Sequence, residues 1–179
     1  MPLATDALDL IIVSSDPWIA PDPDRVAALL DDWQALGALA DGPGSSGHGP
    51  LRRPAGPRAE LLLPGGFGVL WLDRPEGPTL YANQLGGFRV PCPVCGAPLA
   101  RPFGQAMQAL RRGQVEPVRC PACGARSPLQ DIALQPPGFL ARGALVFGDA
   151  RGLSLTPQAM AQVAQALGTD LRLVLRRRV

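Results

Sequence analysis

Four cysteines carry the most specific chemistry in this chain, and they come as two matching pentapeptides, "CPVCG" at 92–96 and "CPACG" at 120–124. Each reads C-P-x-C-G, two thiols three positions apart. Pro sets φ for a tight turn, and Gly relieves crowding where the chain leaves it. Two thiolates on such a turn converge on one ion, and two turns supply four. That is the closed tetrahedral shell of a structural metal site, with no position left for a substrate. Cys92, Cys95, Cys120 and Cys123 are therefore expected to hold one structural Zn²⁺. Disulfides are disfavoured in a reducing cytosol, and a redox CxxC sits at a helix start in a βαβ context without a matching second pair.

In this double CPxCG, over about residues 90–126, the chain resembles the zinc-ribbon class. The resemblance implies a metal module and does not specify an activity. The 24 residues between Cys95 and Cys120 exceed the ~15–20 of the common ribbon interval. Phe103, Met107 and Leu110 stand at helical spacing within "RPFGQAMQALRRG", so a short helix is expected between the two turns. Rubredoxins hold iron on similar paired turns with aromatic surroundings. Here the neighbours are Val94, Ala97, Ala122 and Ala125, which favours zinc, although a tetrathiolate accepts either ion.

Other catalytic signatures are missing from the sequence. "LPGGFG" and "QLGGF" are glycine-containing turns, but neither GxGxxG nor GxxxxGK[ST] occurs, and no nucleophile elbow is present. Asp16, Asp22, Asp24, Asp31 and Asp32 cluster along the chain, a distribution expected of a helix start and a solvated helix face. The single histidine, His48, lies in a Gly/Ser-rich stretch that offers no held geometry for a base or ligand. The sequence thus points to a non-catalytic protein-interaction or adaptor module. An enzyme with a site between the Asp-rich segment and the sheet is the weaker alternative.

Charge supplies a further alternative. All 17 basic residues are Arg. Residues 1–90 hold six of them against eleven acids, whereas 91–179 hold eleven against four. Arg101, Arg111, Arg112, Arg119 and Arg126 surround the cysteines, and Arg172, Arg176, Arg177 and Arg178 end the chain. Such a basic half suits a nucleic-acid partner. A pI near 8.5 and few aromatics argue against it.

The elements that must position these residues can be read from periodicity. "LDLIIVSS" (8–15) is a buried strand, and 23–39 is an amphipathic helix with Asp22 as cap, Pro23 at its start and Val26, Leu29, Leu30, Trp33 and Leu36 inward. From 41 to 57 nine of seventeen residues are Gly or Pro, which predicts a mobile loop. Strands are expected at 58–63, 67–72, 80–90, 139–147 and from Leu171 to the end, with a helix at 156–167 capped by Thr156 and closed by Gly168. The last strand alternates Leu171, Leu173 and Leu175 with Arg172, Val174, Arg176 and Arg178. Together these predict an α+β fold with a mixed sheet, two main helices and an inserted four-cysteine zinc ribbon: 1–89 and 127–179 as the two halves of one domain, 90–126 as the insertion. No run approaches the ~20 apolar residues of a membrane span, and "MPLATDALDL" lacks the features of a secretory signal, so a cytoplasmic protein without a membrane partner is expected.

Overall fold

Alternation of side chains along four long strands organises the fold. The structure, a computed structural model, describes residues 7–41, 51–83, 85, 87–168 and 170–178. Its main sheet has the order β2 (Arg52–Pro54), β3 (Val69–Asp73), β8 (Ala144–Gly148), β1 (Ala7–Ser14) and β9 (Leu171–Arg178). Because successive side chains point to opposite faces, registered rows form across it. Leu70, Phe147 and Leu10 lie on one face, and Trp71, Val146, Ile11 and Val174 on the other.

The first face is sealed by two helices, α1 (Pro23–Ala35) and α3 (Pro157–Leu167). Asp22 caps α1 by accepting from the Asp24 N–H, and Val26, Leu29, Leu30 and Trp33 turn inward. Thr156 caps α3 by accepting from the Ala159 N–H, and Gly168 ends it in the left-handed region with φ 71°. The Trp33 indole N–H donates to Gln162 Oε1 at 2.9 Å, tying the two helices together, while its ring tilts against Phe147. Leu36 lies beyond the end of α1 and is exposed.

The second face is covered by a two-stranded ribbon, β4 (Thr79–Tyr81) with β7 (Phe139–Ala141). Tyr81 and Ala141 pack with Ile11, Val13, Ala144, Val146 and Val174, and Phe139 and Trp71 adjoin them. The Tyr81 hydroxyl donates to Asp73 Oδ2 at 2.7 Å. Burial, then that hydrogen bond, holds the phenol well above its ordinary range. Asp9, fully buried in β1, is held by Arg176 and Arg178 at 2.8 Å each, and Arg178 also reaches Asp149 at 2.6 Å.

β3 and β8 are direct neighbours in the sheet, and everything from 74 to 143 lies between them in sequence. That segment carries α2 (Ala100–Arg111), the pair β5 (Val118–Arg119) and β6 (Arg126–Ser127), and an apolar cluster of its own. The cluster runs from Ala82 to Leu140 and includes Cys92, Phe103, Met107, Cys120, Ile132 and Leu134.

Several sequence expectations need correction. Neighbouring strands are antiparallel throughout the described sheet, where a mixed sheet is expected; β8 and β9 run parallel, but β1 separates them. Among the described residues there are three α-helices, the two main ones and the helix expected between the cysteine turns, which at 12 residues is as long as α3 and not short. Residues 58–63 are not a strand. Ala59–Leu61 form a 3-10 turn whose Ala59, Leu62 and Leu63 are buried, the i, i+3, i+4 spacing of a helical turn.

The run 139–147 splits at Gly143, where an added Cβ would lie 2.6 Å from Pro21, so the chain turns from one sheet into another. The strand expected at 80–90 is confined to β4; within it, Gln84 and Gly86 lie outside the described residues. Of the loop expected at 41–57, residues 51–57 are ordered by β2, whose Arg53 is buried beside Gln34 and Asp31. Residues 42–50, with His48, lie outside the described residues, as does Val179.

Candidate metal centre

Each cysteine pair is shaped by the same backbone bonds. In the first turn the Gly96 N–H donates to Cys92 O at 2.9 Å and the Cys92 N–H to Ala97 O at 2.8 Å. In the second, the Gly124 N–H donates to Cys120 O at 2.9 Å and the Cys120 N–H to Ala125 O at 2.8 Å. Gly96 and Gly124 have φ of 74° and 76°, left-handed values that a side chain would strain, which is the reason glycine follows the second cysteine in both. Pro91 and Pro98 bridge the base of the first turn, and β5 with β6 forms the base of the second.

The turns face each other so that all four sulfurs lie within 4.8 Å. Cys92 Sγ is 3.8 Å from Cys123 Sγ, and Cys95 Sγ is 3.7 Å from Cys120 Sγ. A tetrahedron with metal–sulfur bonds of about 2.3 Å has edges of about 3.8 Å. The sulfur set therefore has the dimensions of a metal shell, and the distances are far from the ~2.05 Å of a disulfide. Each short contact joins a buried sulfur residue of one turn, Cys92 or Cys120, to an exposed one of the other.

Local donors prepare the first turn for a charged sulfur. N–H groups of Cys95 and Val94 are aimed at the Cys92 sulfur and lower its pKa to about 6. At Cys95 the Ala97 N–H pulls downward, but the Cys123 thiol, burial and the thiols of Cys120 and Cys92 together push the group up to about 12. Four sulfurs this close cannot all ionise without a cation among them. With one, they fill its coordination shell.

α2 begins five residues after Cys95 and lies over the site's apolar support. Phe103, Ala106, Met107, Ala109 and Leu110 are buried, as the spacing of Phe103, Met107 and Leu110 predicts. Phe88 meets Phe103 edge to face at 6.3 Å. Leu129, Ile132, Leu134 and Leu140 complete this support from beyond residue 126. Sequence inspection alone does not assign them to the cysteine unit, because apolar periodicity reports burial and not which core receives it.

The nine arginines singled out above divide into two groups. Arg101, Arg111, Arg112, Arg119 and Arg126 are exposed around the centre, and none has an ion-pair partner among the described residues. Arg119 and Arg126 stand directly opposite each other across β5 and β6. On β9 the situation differs for three of the four: Arg172 lies 5.6 Å from the Phe139 ring, and Arg176 and Arg178 hold Asp9, whereas Arg177 gives only its main-chain N–H to Asn83 Oδ1 and its exposed side chain has no ion-pair partner among the described residues. The acids of the N-terminal segment have local roles, Asp22 and Asp24 at the start of α1, Asp31 beside Arg53, and Asp16 accepting from the Trp18 N–H. Among the described residues no helix is long and apolar enough to cross a membrane. Comparison with family models, with characterised proteins and with solved structures finds no match to this chain.

Proposed function

We propose that Cys92, Cys95, Cys120 and Cys123 bind one structural Zn²⁺, and that the unit so fastened is a non-catalytic protein-interaction module of adaptor type. The observation that carries the metal reading is the sulfur geometry, with short edges of 3.7 and 3.8 Å. A closed tetrathiolate shell leaves no coordination position for a substrate, so the ion acts as a fastener. Charge supports the same reading. Arg119 and Arg126, like charges directly opposite on a two-residue ladder, repel one another. Four thiolates around a divalent ion carry a net charge of about −2 beside them, which offsets that repulsion.

The fastened unit in this reading extends from Thr79 to Ala141, wider than 90–126, since its apolar cluster needs Ala82 and Leu129–Leu140 as well as the two turns. Free thiols of this kind persist in a reducing compartment such as the cytoplasm. The direct test is metal content. Protein purified without chelator should carry one zinc per chain, and Co²⁺ replacement should give the visible spectrum of a tetrahedral thiolate site. Less than about half an equivalent of metal would sink the assignment.

A nucleic-acid partner is the alternative that the five exposed arginines of the unit favour. From β9 only Arg177 joins them freely, since Arg176 and Arg178 are committed to Asp9 and Asp149. Retention of a single-stranded oligonucleotide, weakening steeply with salt, would favour this alternative over a protein partner.

A further inference from the structure

Between α2 and β4, with the chain at Phe88 and Val90, lies a groove of about 530 Å³. That is the size of an ordinary ligand pocket, within ~300–1,000 Å³. Its lining is largely apolar, with Leu80, Phe88, Val90, Phe103 and Met107 contributing. The edge-to-face contact of Phe88 with Phe103 fixes one wall. Its α2 side carries a stripe one turn apart at each step, Gly104, Gln108 and Arg111.

Gly104 is the informative residue. A glycine inside a helix costs about 1 kcal/mol relative to alanine. Here no backbone requirement offsets that cost: its φ is not positive, and an added Cβ would meet nothing within 4 Å. No contact within the chain accounts for the missing side chain, and its effect is to keep the groove open.

Charge defines what enters. No acid lines the groove, and Arg111 at its edge has no ion-pair partner among the described residues. From Thr79 to Ala141 the acids are Glu116 and Asp131, against six arginines. The occupant must therefore pair bulky apolar surface with negative charge. Thr79 and Leu80 line the groove from a strand whose one partner among the described residues is β7, so an extended segment would find backbone groups to pair with.

We propose that this groove captures a short segment of a partner protein that carries a bulky apolar side chain next to an acidic residue. The apolar side chain seats among Phe88, Phe103 and Met107, and the carboxylate pairs with Arg111. This inference rests on the protein-interaction reading above and names the surface it uses.

The test is selection of short random peptides on the zinc-loaded full chain. Selected sequences should share an aromatic or large aliphatic residue beside Asp or Glu. A synthetic peptide of that sequence should bind at least about tenfold more weakly to Gly104→Leu and to Arg111→Glu, a loss readily measured by calorimetry. Gly104→Leu should keep or raise the thermal midpoint, since leucine is the better helix former, so lost binding there means a blocked groove and not an unfolded chain. Peptides that bind Gly104→Leu as well as they bind the parent chain overturn the groove and leave the protein-interaction reading standing. A selection that yields no common sequence also overturns the groove. If the chain then retains a labelled single-stranded oligonucleotide in a salt-dependent way, the protein-interaction reading falls with it.

Discussion

At the scale of single side chains, charge burial separates groups that look alike in sequence. Asp9 is fully buried, whereas its partners Arg176 and Arg178 are 35% and 40% exposed. Removing both arginines strands a buried carboxylate, which costs about 3–5 kcal/mol. Asp9→Asn leaves two cations that can turn to water and should cost distinctly less. Denaturant titration of Arg176→Ala/Arg178→Ala against Asp9→Asn checks the order. The same asymmetry dictates how the nucleic-acid alternative must be tested: substitutions at the exposed Arg101, Arg111 and Arg126 should leave the fold intact, while those at Arg176 and Arg178 would confuse lost stability with lost binding.

Tyr81, the single tyrosine, supplies a second probe at this scale. Its pKa is raised by burial and by Asp73. A raised folded pKa means that the neutral form is favoured, so the associated stability is present below the unfolded value near 10 and declines above it. Phenolate absorbance should therefore appear only together with alkaline unfolding. A phenolate titrating near pH 10 in folded protein would refute the buried contact.

At the scale of elements, helix starts are legible because their signals are local, whereas the end of α1 is not: a helix expected over 23–39 stops at Ala35, and Leu36 is exposed. Asp22 and Thr156 cap as their positions imply, and both helices begin with proline. Thr156 does more than cap, since its hydroxyl also donates to Leu61 O. Thr156→Ala should thus cost about 1–2 kcal/mol, at the upper part of the range for an N-cap. A thermal melt unchanged from the parent would contradict both bonds.

Strands are less legible, and the physical reason differs from case to case. "ELLL" is too short for its period to separate a helical turn from a strand, although Ala59, Leu62 and Leu63 already show the helical spacing. "FLARGALVF" contains two strands because Pro21, far away in sequence, crowds Gly143. β2 is hidden by composition: Arg52 stacks over Trp71, Arg53 is buried with its guanidinium beside Gln34 and Asp31, and Pro54 is tolerated on an edge strand. Pairing direction between strands far apart in the chain has no local signal, so an antiparallel sheet and a mixed one read alike.

At the scale of the whole molecule, the cysteine turns were legible from spelling alone, but the apolar floor beneath them was not. Metal removal tests how far that floor stands by itself. In the Cys92→Ser/Cys120→Ser double variant, hydrogen-exchange protection should be lost between about residues 82 and 138. The main sheet should keep its protection and unfold cooperatively, because the core of Leu10, Trp33, Leu70 and Phe147 contains no cysteine. Loss of protection in β1 and β8 as well would mean one cooperative unit.

The pairing of Asp73 with Ala144 brings the two ends of residues 74–143 side by side. Such ends invite a protein engineer to excise everything between them and close β3 to β8 with a short turn. That design should fail, because Tyr81, Phe139 and Ala141 would leave with the excised piece and bare the apolar row of Ile11, Val13, Val146 and Val174. The workable cut lies deeper, between Ala82 and Gly138, keeping β4 and β7 as a lid on the sheet. A chain trimmed there should be a soluble, metal-independent miniature of the parent, and one trimmed at Asp73 should aggregate.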